Sequence, residues 1–155
     1  MVLRDTLMTT IKPMSESVDM DRLFSLVADD FWPPVRVARR SVSELVRSAA
    51  LRGFGDFRLD GARMMDQAGL FREFSRSMHF PDYFGSNWDA LDECLADLDW
   101  LDLPGYVLLI DSGRLILCEE SEELLETFNV LMRDIAQEWA TSEPGVVFRT
   151  VIVED

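Results

Sequence analysis

Between positions 80 and 95 the chain reads Phe-Pro-Asp-Tyr-Phe-Gly-Ser-Asn-Trp-Asp-Ala-Leu-Asp-Glu-Cys-Leu, and the groups in it best suited to chemistry are carboxylates. Residues 82–102 hold seven of them, Asp82, Asp89, Asp92, Glu93, Asp97, Asp99 and Asp102, with no Lys or Arg among them. A field of that sign repels nucleic acid and attracts a basic protein. Carboxylates held in a fixed row also accept charge-assisted hydrogen bonds from Arg, Lys and His. The competing chemistry is carboxylate catalysis, which needs a concave pocket and two acids whose pKa values are pushed apart. Here the spacing sets the acids on one convex helix face, which disfavours an enzyme. Metal-binding Cys and His spacings are missing, as are a Gly-rich phosphate cradle and a Gly-x-Ser-x-Gly elbow. The single His79 precedes Phe80-Pro81, where packing or loop hydrogen bonding is its expected work. The expectation is a binding protein without catalytic residues, metal or cofactor.

The acids need an element to present them. Ser86 followed by Asp89 has the spacing of a helix cap, predicting a helix over about 87–98. Leu91, Cys94, Leu95 and Leu98 then fall on one face, with Asp89, Glu93 and Asp97 opposite and Asp92 on a flank. Phe84 and Trp88 read as packing residues. Tyr83 can pack its ring and still offer its hydroxyl at a surface, a combination common at interface hot spots. Gly85 points to a special backbone shape or a close approach, and Asn87 to a loop organised by side-chain hydrogen bonds. For Asp89 a plain reading also stands, since an acid in the first turn stabilises a helix by about 0.3–1 kcal/mol. That reading is weaker for Glu93, one turn further on. Asp97 and Asp99 read as solvated.

The segment Tyr83-Phe84-Gly85-Ser86-Asn87-Trp88-Asp89-Ala90-Leu91 resembles, almost position by position, the loop and acidic helix of the barstar family, intracellular protein inhibitors of barnase-type ribonucleases. The order of elements extends the resemblance over residues 54–155. It implies that Tyr83, Gly85, Asn87, Asp89, Asp92 and Glu93 lie on a partner-binding surface, with Glu93 in the place of the acid that enters the ribonuclease active site. Asp134, on the last long helix, is the candidate for a further acid of that surface. Two residues depart from the family pattern: Asp92 stands where a tryptophan is expected, and Glu93 is one methylene longer than the expected aspartate. The implied function is inhibition of a small basic ribonuclease by occlusion of its active site. The alternative is a protein-interaction or regulatory module that keeps the fold and binds something other than a ribonuclease.

Charge divides the chain in the same place. Residues 1–53 carry 8 basic and 7 acidic side chains, whereas residues 54–155 carry 7 and 22, so the net charge of −14 belongs to the second part. With 48% apolar residues the 155-residue chain can bury a core. No apolar run approaches the length of a membrane span, and the first dozen residues include Asp5 and Lys12, unlike a secretory leader. A cytoplasmic protein is expected, with Cys94 and Cys118 as two buried thiols.

In the first part, Met20, Leu23, Phe24, Val27 and Phe31 mark a helix that must stop at Pro33-Pro34. Val35 and Val37 hint at a short strand, and Ser41 with Glu44 predicts a capping box opening a second helix that ends near Gly53 or Gly55. In the second part, Phe57-Arg58-Leu59 reads as a strand and residues 66–78 as a helix, with the acidic helix next. Tyr106 to Ile110 then reads as a strand covered on both faces. A long helix capped by Ser121 and a last strand from Val146 to Val153 complete the order. The predicted fold is α/β, a small three-stranded parallel sheet with packed helices over 54–155, joined to a mainly helical N-terminal extension over 1–53. The arginines of that extension, Arg36, Arg39, Arg40 and Arg47, read as a surface patch or as partners for the acidic half.

Overall fold

The computed structural model describes residues 18–26 and 34–155. Its strands are β1 (Val35–Ala38), β2 (Gly55–Asp60), β3 (Gly105–Asp111) and β4 (Val147–Glu154), all parallel, in the order β1-β4-β3-β2. The sheet therefore has four strands, not the expected three. The extra one is the segment around Val35 and Val37, which pairs residue by residue with Val151 to Glu154. Its four residues are too short for periodicity to establish, but they supply the backbone partners that the outer side of β4 lacks.

Parallel strands need long crossovers, and here these are helices on both faces. They are α2 (Val42–Leu51), α3 (Gln67–Met78), α4 (Trp88–Asp97) and α5 (Glu122–Ala140), while α1 (Met20–Leu23) precedes β1. The pleat divides β3 between two cores. Tyr106, Leu108 and Ile110 join α3, α4 and α5, while Val107 and Leu109 join Leu23, Phe24, Val42, Leu45 and Ala49. A sheet covered on one face alone would leave the second set, with Val147, Val151 and Val153, in water.

Several local expectations shift. The N-terminal helix is seen as the single turn α1, capped by Asp19, while Val27, Phe31 and Pro33 lie outside the described residues. Ser41 makes no side-chain cap bond, because a 3-10 turn over Arg39–Ser41 already brings its backbone into the helical region. Ser121 does cap α5, its Oγ accepting from the Leu124 N–H at 3.2 Å. Cys94 is buried as expected, but Cys118 is exposed. Leu117 adopts a left-handed φ of 54°, which turns the chain so that Leu117 is buried and the next side chain faces out.

Two of the extension's arginines pair with the acidic half: Arg36 with Glu154 at 2.6 Å, and Arg39 with Asp111 at 2.7 Å and Asp155 at 2.6 Å. A deeper tie runs the other way. Arg149, on the α2 face of β4 and 3% exposed, donates to the carbonyls of Leu23 (2.7 Å), Phe148 (2.9 Å) and Ser25. Its replacement in Arg149→Met should cost about 2 kcal/mol, since buried carbonyls lose a charged donor. Amide exchange should rise in residues 18–26 before it rises elsewhere. Unchanged exchange there would show that the guanidinium does not hold that segment.

At the opposite edge Glu73, 2% exposed on α3, accepts from Arg76 Nε and a terminal guanidinium nitrogen (2.9 and 2.7 Å) and from the Asp60 N–H (2.8 Å). The Arg76 hydrogen bond, helped by the Asp60 amide and opposed by burial, holds the carboxyl below its ordinary 4.5. The unfolded chain therefore takes up this proton at a higher pH than the folded chain does. The stability contributed is whole above roughly pH 5 and is lost as the pH falls through the folded-state value. Between pH 5 and pH 3 wild type should lose more stability than Glu73→Gln in parallel urea titrations. Equal losses would mean that the pair contributes nothing.

Candidate partner-binding surface

The candidate surface starts where α3 stops. His79 closes that helix in a left-handed conformation (φ 56°), and the Phe80 N–H returns to the Ser75 carbonyl at 3.1 Å. Phe80 is thereby sunk into the core. Phe84 meets it edge-on at 4.9 Å between ring centroids, Trp88 meets Phe71 at 5.2 Å, and Trp100 flanks Phe80 at 5.8 Å. Phe84 and Trp88 are the packing residues expected of them. Tyr83, next to the inward-facing Phe84, is 72% exposed. Desolvation, then the nearby carboxylates of Asp97 and Asp99, push its phenol pKa up, so its hydroxyl keeps the proton.

The helix begins one step later than the Ser86 spacing indicated. Asn87 is the cap, its Oδ1 accepting from the Ala90 N–H at 2.8 Å and its Nδ2 donating to the Gly85 carbonyl at 3.3 Å. Ser86 sits at φ 54°, outside the extended conformation that a cap requires. A Cβ on Gly85 would lie 3.2 Å from Asn87 Nδ2, so glycine there leaves room for the capping amide.

Along α4 the two faces separate as the periodicity predicts. Leu91, Cys94, Leu95 and the following Leu98 are buried, whereas Asp89, Asp92, Glu93 and Asp97 are exposed. Burial, with Asp97 and Glu93 nearby, pushes the Cys94 thiol pKa up, leaving it a neutral packing group. Trp139 Nε1 on α5 donates to the Leu95 carbonyl at 2.8 Å and ties the two helices together. Asp134 is exposed on α5 and pairs with Arg133 at 3.2 Å. Tyr83, Gly85, Asn87, Asp89, Asp92 and Glu93 thus share one continuous loop and helix, while Asp134 is on the neighbouring helix and already engaged. Among the described residues no cation pairs with Asp82, Asp89, Asp92, Glu93, Asp97, Asp99 or Asp102. Nor does any group of three or more His, Cys, Asp or Glu there suit a metal ion.

Two residues that support this surface escape sequence reasoning. Trp88 Nε1 donates to Gln67 Oε1 at 2.8 Å, and the Gln67 N–H donates to Glu120 Oε2 at 3.0 Å. Glu120 reads in the sequence as one more acid near the start of the long helix. In the fold it braces α3, which in turn holds the first residue of α4.

Residues 54–153 match the family model described as Barstar (barnase inhibitor). The chain belongs to the barstar family. The match takes in β2 to β4 with Arg149 and leaves β1 and α2 outside it. The chain is also 28% identical over 83 residues to a Bacillus subtilis (strain 168) protein named "Putative ribonuclease inhibitor YrdF", an alignment covering 52% of this chain and 89% of that one. In both comparisons the likeness is to inhibitors rather than to enzymes. No helix among the described residues is long and apolar enough to cross a membrane.

Proposed function

We propose that this chain is a cytoplasmic protein inhibitor that binds a small basic ribonuclease of the barnase type and occludes its active site through the segment from Tyr83 to Glu93. The observation that carries this reading is the set of exposed acids along α4, with which no cation among the described residues pairs. A ribonuclease presents Arg, Lys and His to the phosphates of RNA. Carboxylates fixed in a row satisfy the same groups by charge-assisted hydrogen bonds and so compete with the substrate. The charge of the second part of the chain draws such a partner in from solution, and the desolvated contacts then slow its release. Asp89 and Glu93 make the central contacts, Tyr83 flanks them with its ring and hydroxyl, and Gly85 and Asn87 hold the loop in shape. Asp134 joins them only when the partner offers it a better cation than Arg133.

The test is capture from a lysate of the source organism, using tagged wild type beside a Tyr83→Ala/Asp89→Ala/Glu93→Ala variant of verified fold. The captured nuclease is then assayed for RNA cleavage with increasing inhibitor. Wild type should retain a small basic ribonuclease and silence it at about one equivalent, with the variant doing neither. A non-nuclease retained equally by both would overturn the reading in favour of an interaction module working through another surface. Asp92 in the place of the family's tryptophan is the residue that favours that second reading.

A further inference from the structure

Among the described residues β2 ends the sheet, and the terminal strand of a sheet exposes a row of backbone groups on which another strand can assemble. Here two groups of that row are met by side chains. Glu73 Oε2 accepts from the Asp60 N–H at 2.8 Å, and Arg76 donates to the Arg58 carbonyl at 3.2 Å as well as to Glu73. These two backbone groups, two residues apart on β2, point to the same side, away from β3. A donor and an acceptor one helical turn apart on α3 thus stand where the next strand would stand. Burying one carboxylate to 2% exposure is costly unless it is fully hydrogen-bonded, and all the bonds given to Glu73 serve the strand edge or the arginine that also serves it.

We propose that the Glu73–Arg76 pair closes the free edge of the sheet against a second copy of this chain, whose own β2 is the strand that would otherwise add to it. The two copies would pair edge to edge through their β2 strands. This inference is independent of what the acidic surface binds.

The experiment compares wild type with two neutral replacements of the pair by sedimentation and light scattering over a range of concentrations. Glu73→Leu/Arg76→Met removes both caps, and replacing a buried pair by apolar residues of similar volume is commonly tolerated by the fold. Glu73→Gln/Arg76→Met removes the same charges but keeps an acceptor for the Asp60 N–H. The first variant should change from monomer to a concentration-dependent dimer of twice the mass, while the second should need at least about tenfold more protein to associate, a 1.4 kcal/mol difference. A folded, monomeric Leu/Met variant, or equal association by both, would overturn the proposal. Hydrogen exchange of the wild-type protein tests the cap itself even if a variant does not fold. The Asp60 amide should be protected on the order of 100-fold or more, as a paired amide is. Exchange at the rate of an open strand edge would overturn the proposal.

Discussion

Leu95→Ala should lower the free energy of unfolding by about 3 kcal/mol, within the usual span for a buried leucine reduced to alanine. Leu95 is fully buried on the inner face of α4, in the core formed with β3, α3 and α5. The bond from Trp139 uses its backbone carbonyl and survives the substitution, so the loss is that of transfer from water plus the cavity left behind. Asp92→Ala, on the exposed side of the same helix, should stay within about 0.5 kcal/mol of wild type. Urea denaturation of the two variants measures both. A loss below about 1 kcal/mol for Leu95→Ala would mean that α4 is not seated as described.

That contrast between two faces of one helix is the part of the molecule most legible in the sequence, because a 3.6-residue period sorts side chains without reference to anything distant. The same holds for α3, α5 and the apolar run of β3. What could not be read depends on partners far along the chain or on a single dihedral angle. Ser86 and Asn87 are both good caps, and the choice falls to Asn87 because Ser86 takes a positive φ in the turn that follows Phe84. Val35 and Val37 alternate for too few residues to establish a strand, yet their pairing with β4 changes the sheet from three strands to four. Arg149 interrupts an apolar strand. It is buried because the carbonyls of Leu23 and Ser25 come to meet it. The loop and acidic helix were legible from the motif, whereas the Glu120, Gln67 and Trp88 chain of hydrogen bonds that braces them joins residues 53 and 21 positions apart.

Glu93→Ala should weaken the complex with the captured ribonuclease by about 3 kcal/mol, roughly 150-fold, since losing one partner of a desolvated charge pair leaves the other buried and unpaired. The change should appear as faster dissociation, with the urea midpoint of the free protein unaltered. Raising the salt concentration should slow association of wild type steeply, because the seven acids of residues 82–102 act on the approaching partner together. Glu93→Ala removes one of them and should leave most of that salt response in place. Glu93→Asp separates charge from reach. If the partner's cations sit at the depth reached by the longer side chain, the shorter acid should recover association fully and the lifetime of the complex only in part. Full recovery of the lifetime would mean that the extra methylene of Glu93 plays no part in partner choice. Unchanged affinity in Glu93→Ala would remove the acidic helix from the mechanism, whatever the identity of the partner.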